Sequence, residues 1–129
     1  MAKTVGVGGV FLKASDPKKL SAWYAEHLGV PSQGGGSLGF DGPESVGMTV
    51  FSHFPTTTKY FGDGPQQVMI NFRVDDLEEL LVQLAAANVR IDPNRENHDY
   101  GRFAWIWDPE GNRIELWEPP REASPAAGQ

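Results

Sequence analysis

The sequence predicts an α+β fold made of two βαβββ units in tandem. Three observations carry that expectation: a strand-then-helix pattern that occurs twice, two helices with matched punctuation, and a hairpin that closes the chain. Self-similarity at a fixed offset is the mark of a duplicated unit.

The first unit opens with the β-branched and glycine strand Val5 to Leu12. Ser15-Asp16-Pro17 then starts a helix, with Asp16 placed to accept from free backbone N–H groups and Pro17 suited to the first helical position. Leu20, Trp23, Tyr24, His27 and Leu28 follow at helical spacing and are expected to form one stripe along it. Gly29 supplies the left-handed residue that ends it. A glycine-rich stretch from Gln33 to Ser37 leads to a short strand, Leu38 to Phe40, a turn at Asp41-Gly42-Pro43 and a strand from Val46 to Phe54.

The second unit repeats the plan. Val68 to Val74 reads as a strand, Asp75 as a cap, and Leu77, Leu80, Leu81 and Leu84 as a buried helical stripe. Glu78 and Glu79 in the first turn favour the helix dipole, and Asn88 closes the helix. Cap and terminator lie 13 positions apart in both units, and each landmark recurs 59 positions later. Val89 to Ile91, a polar loop, and a strand from Arg102 to Trp107 come next. Asp108 to Asn112 carries hairpin turn residues, and Arg113 to Glu118 is the last strand. Residues 1–120 are thus expected to form one domain, with repeat units 5–54 and 66–118, followed by a flexible tail at 121–129.

Composition narrows the function. Apolar residues make up 40% of the chain, including four tryptophans, so a packed core rather than disorder is expected. The net charge of -6 argues against nucleic acid, which needs a basic face. With no cysteine, disulfides, thiolate metal sites and cysteine nucleophiles are excluded. No stretch approaches the ~20 apolar residues that span a bilayer, and the N-terminus does not read as a signal peptide, so the expected location is the cytoplasm.

Asp16-Pro17, Trp23-Tyr24, Leu28-Gly29-Val30 and the distant run Asp108-Pro109-Glu110-Gly111-Asn112-Arg113-Ile114-Glu115-Leu116 together resemble the vicinal-oxygen-chelate superfamily, the glyoxalase/bleomycin-resistance/dioxygenase group. The resemblance spans residues 5–118. It implies a pair of curved half-barrels around a concave cleft, and a homodimer that covers otherwise unpaired strand edges. It also implies up to four strand residues, usually His and Glu, around a metal that polarises a bound oxygen.

The resemblance places those four positions at Gly9, Thr49, Met69 and Glu115, of which only Glu115 keeps a ligand type. One carboxylate does not hold a catalytic ion, so no metal and no other cofactor is expected, with a divalent metal as the alternative. His53, on the same strand face as Thr49, is either a displaced ligand or general base, or an exposed residue at a strand end. Glu115 and His53 are the candidate catalytic residues.

Period-two alternation sorts the strand faces. It assigns Phe11, Thr49, Phe51, Asn71, Arg73, Phe103, Trp105 and Trp117 to the concave side with Glu115. The other reading is that these aromatics fill the barrel, with Glu115 paired to Arg73 or Arg113. Tyr100 and Arg102 in the polar loop either cover a ligand, with Gly101 as a hinge, or belong to an ordinary connection. Aromatic walls with few polar anchors suit a planar or cationic small molecule. The expected function is therefore binding or sequestration of an aromatic or cationic compound at a degenerate metal site. A metal-dependent lyase or dioxygenase with rearranged ligands, and an interaction module without a ligand, are the alternatives.

Overall fold

The computed structural model describes residues 2–33, 37–41 and 48–120. Seven strands and two helices follow one another as β1 (Thr4–Ala14), α1 (Pro17–Leu28), β2 (Leu38–Phe40), β3 (Thr49–Pro55), β4 (Val68–Val74), α2 (Leu77–Ala86), β5 (Glu96–His98), β6 (Gly101–Trp107) and β7 (Arg113–Glu118). The strands form one sheet in the order β2-β3-β1-β4-β7-β6-β5. The expected α+β architecture is what the chain adopts. The glycine-rich stretch and the turn around Gly42 fall largely, and the 121–129 tail wholly, outside the described residues.

The chain divides into two compact units, Val7–Asn71 and Met1–Gly6 with Phe72–Gln129. In the Val7–Asn71 unit, β3 pairs in parallel with β1 and antiparallel with β2. Asp16 caps α1 by accepting from Lys19 N, Pro17 opens the helix, and Gly29 ends it at φ 68°. The helix contains no buried residue: Trp23 is 49% and Leu28 64% exposed. Its apolar stripe is therefore not a buried seam. Only part of that stripe touches the sheet, where Tyr24 packs its ring on Phe51 and His53.

The other unit holds a conventional core. Leu77, Leu80 and Leu81 of α2 pack with Ala2, Val74, Ala104 and Leu116. The capping residue of α2 is Asp76, which accepts from Glu79 N, and not Asp75. Asp75 instead accepts from Lys3 N at 2.9 Å, tying the start of β1 to the end of β4. Asn88 does adopt the left-handed conformation, at φ 63°. Asp108 accepts from Glu110 N and Asn112 N within the tight hairpin between β6 and β7. Ile91 makes an isolated bridge to Ile106 rather than a strand, whereas the polar loop contributes β5 as a ladder partner of β6. Leu77 has no exposed surface, so Leu77→Ala is expected to cost about 3 kcal/mol in chemical denaturation, from lost transfer energy and the cavity left behind.

Candidate functional site

In the unit that contains α2, the strand register separates two faces. Ala104 and Ile106 of β6, with Ile114 and Leu116 of β7, belong to the α2 core. Phe103, Trp105, Arg113, Glu115 and Trp117 alternate with them and share the opposite face, as the sequence implied. There Glu115 and Trp105 are both 2% exposed, and Trp105 Nε1–H donates to Glu115 Oε2 at 3.0 Å. The indole thus fixes the carboxylate's orientation. A buried carboxylate requires partners of this kind, because desolvation without them is expensive. Phe103 stacks on Trp117 with ring planes 5° apart, and Trp117 Nε1–H donates to the Tyr100 carbonyl at 2.7 Å.

A polar and cationic layer adjoins these rings. The Arg113 guanidinium donates to Asp92 Oδ2 at 2.9 Å and lies over both Trp105 and Trp107, 5.4 and 5.2 Å from the ring centres. Arg90 sits 3.7 Å from the centre of Trp107. Trp107, Arg90 and Asp92 were missed from the sequence. Trp107 has the same parity as Phe103 and Trp105, so alternation could have found it, but nothing in the pattern joined the segment around Arg90 and Asp92 to it. The Asn94 N–H and the Arg113 guanidinium hold the Asp92 carboxyl below its usual range. That bridge should contribute in full above about pH 4 and fade as pH falls and the carboxyl protonates. Denaturation midpoints between pH 7 and 3 should therefore fall less steeply for Asp92→Asn than for the natural protein.

Other candidates are placed differently. Tyr100 is 59% exposed and stacks on His98. Arg102 lies across from Glu118 on the α2 side of β6, opposite Phe103 and Trp105, so it does not cover the Glu115 face. It lines a polar cleft of about 660 Å³ with Asp76, His98, Asp99 and Glu118. Gly101 is no hinge: it is buried at φ 136°, hard against the Trp117 indole. Gly6 leaves room for the Arg73 guanidinium, which occupies the place a side chain would take.

The Val7–Asn71 unit corrects the face assigned to β3. Phe51 and His53 point at α1, where Tyr24 meets them at 4.7 and 5.4 Å between ring centres. Thr49 shares their side and donates to the Val7 carbonyl. The pairing of Leu12 with His53 and Phe11 with Ser52 puts Phe11 on the other side. Phe11 belongs to a cluster with Phe54 and Tyr60, and Phe54 also meets Phe61. The sequence pattern missed that cluster because residues 55–67 carry no periodicity. A one-residue slip reverses a strand's faces, and β3 was anchored only by an inferred ligand position. Met69 and Asn71 are buried. Gly9 makes room for the Phe11 ring.

These facts test the donor set for a metal. Gly9 and Met69 stand seven residues before the true caps Asp16 and Asp76, so the equivalence of the two positions is stronger than the sequence suggested. Neither supplies a hard donor, and Thr49 is engaged with backbone. Among the described residues no three His, Asp or Glu side chains gather where one ion would reach them. The residues do not fit the family's ion, which needs three or four ligands.

The sequence profile described as Glyoxalase/Bleomycin resistance protein/Dioxygenase superfamily matches residues 6–116. Methylmalonyl-CoA epimerase from Mycobacterium tuberculosis superposes with a TM-score of 0.66 at 20% identity, over 92% of this chain and 91% of that one. A variant of the Streptomyces coelicolor methylmalonyl-CoA epimerase in complex with 2-nitronate-propionyl-CoA gives 0.69 at 14%, over 95% and 100%. A superfamily member from Vibrio splendidus 12B01 gives 0.57 at 13%, over 92% and 99%. At these identities the likeness establishes the fold alone. No curated protein matches the sequence significantly.

Proposed function

Because the chain belongs to the Glyoxalase/Bleomycin resistance protein/Dioxygenase superfamily, we propose that it is a metal-independent member that binds or sequesters a small aromatic or cationic compound. The observation that carries this reading is the Glu115 carboxylate, buried and oriented by the Trp105 indole among the rings of Phe103, Trp105 and Trp117. Rings offer their faces to a planar or cationic group, and a fixed carboxylate adds direction. The acidic chain favours approach of a cation over an anion. Glu115 serves as the polar anchor rather than as the last ligand of a metal. The protein is further expected to act as a homodimer in the cytoplasm.

Two measurements test the proposal. Thermal unfolding is followed with planar aromatic ammonium compounds and with their neutral isosteres. A ligand that binds only the native state must raise the midpoint. Glu115→Gln should remove the rise for the cations and leave a smaller one for the neutral rings. Elemental analysis of protein purified without chelator supplies the second test. Stoichiometric zinc, nickel, manganese or iron would overturn the metal-independent reading in favour of a lyase or dioxygenase with displaced ligands.

A further inference from the structure

We propose that His53 is a proton-operated latch, which holds α1 on β3 while its ring is neutral and releases the helix when the ring gains a proton. Every residue involved lies in the Val7–Asn71 unit, so the inference stands apart from the reading of Glu115.

The imidazole is enclosed on several sides. Its Nδ1 is 2.8 Å from Ser21 Oγ on α1. Tyr24 of α1 stacks on it with planes 18° apart, and Phe51 of β3 meets it edge-on. Leu12 is its neighbour across the β1 pairing. The second nitrogen, Nε2, is buried and has no hydrogen-bond partner among the described residues. With a neutral ring this arrangement is tolerable, since Nδ1 and the Ser21 hydroxyl satisfy one another in either tautomer. A second proton changes the requirement. Both nitrogens then donate, and the charged ring needs an acceptor at Nε2 that no described residue supplies.

Among the described residues no charged group compensates the ring. The groups that face His53 are the Ser21 hydroxyl and the Tyr24 ring from α1, Phe51 from β3 and Leu12 from β1. Tyr24 is the one titratable group among these four. Ring faces attract a cation, yet burial prevails and lowers the imidazole's pKa below its ordinary 6.5. The helix is also the element best suited to yield, because none of its residues is buried. Releasing it gives Nε2 access to water at the cost of a few ring contacts.

The direction in pH follows from the lowered pKa. Well above 6.5 the ring is neutral in both packed and released forms, and the latch has its full strength. As pH falls below that value, the released form takes up the proton more readily. The released population then rises by up to about tenfold per pH unit, and levels off once the packed ring also titrates.

Amide hydrogen exchange of the full-length protein between pH 8 and 5, corrected for intrinsic rates, tests the latch. Protection across α1 should fall relative to β7 as pH drops below 6.5, by about tenfold per unit while the packed ring stays neutral. In His53→Phe and His53→Gln the ratio should be constant over the same range. The latch is refuted by constant α1 protection in the natural protein, or by an unchanged loss in either variant. If both variants fail to fold, an NMR titration of the natural protein decides the matter. The His53 ring signals and the α1 amides should share one midpoint below 6.5. A midpoint at or above 6.5, or α1 signals that do not follow the ring, overturns the proposal.

Discussion

Gly101→Ala is expected to be the most damaging single-methyl change in the chain, with a loss of about 4 kcal/mol or failure to fold. Two costs add there. The backbone is held at φ 136°, a region that residues with a Cβ rarely adopt. The added methyl would also run into the Trp117 indole nitrogen and sit 2.6 Å from the Glu118 carbonyl oxygen. Relief requires breaking the Trp117 bond to the Tyr100 carbonyl and shifting the ladder between β6 and β7. Chemical denaturation against the same change at Gly64, where a Cβ would meet open space, isolates the effect. Comparable losses at the two positions would contradict this account.

Glu115→Ala is expected to lose about 3 kcal/mol, as much as Leu77→Ala. Truncation leaves the Trp105 N–H buried without its acceptor and opens space beside a side chain that is 2% exposed. Glu115→Gln keeps an oxygen for the indole and removes the charge. It should fold within about 1 kcal/mol of the natural protein. The two variants separate the roles of the residue: Ala measures its part in the fold, and Gln measures what the charge does for a ligand. Equal and large losses in both would assign the carboxylate to structure and count against its role as an anchor.

Much of the architecture is legible in the sequence alone, for a physical reason. Caps, terminators and apolar stripes act locally, so Asp16, Pro17, Gly29 and Asn88 announced the helix boundaries unaided. The Asp108 hairpin was equally local. The choice between Asp75 and Asp76 was not, since a contact with Lys3 far away in the chain decides which carboxylate caps. The site divided along the same line. On β7, Glu115 sat in a run whose alternation was unbroken, and the face of Phe103, Trp105 and Trp117 followed from it. On β3 the sequence Thr49-Val50-Phe51-Ser52-His53-Phe54 has large rings on both parities, so periodicity cannot choose a side. The contact with Tyr24 makes the choice, and it depends on how α1 lies on the strand. The exposure of α1 was hidden too, because an apolar stripe shows where a helix offers to pack and not how closely anything covers it.

The opening residues have a consequence for biosynthesis. Ala2 is buried with the α2 leucines, exchanges hydrogen bonds with the Gln83 side chain in both directions, and is followed by Lys3 tied to Asp75. During synthesis Ala2 and Lys3 therefore wait for partners made some seventy to eighty positions later. Residues 7–71 can assemble meanwhile, but the second compact unit stays incomplete until its leading strand segment returns to it. Removing residues 2–6 should consequently weaken the unit that contains α2, not the Val7–Asn71 unit that follows them directly in the sequence.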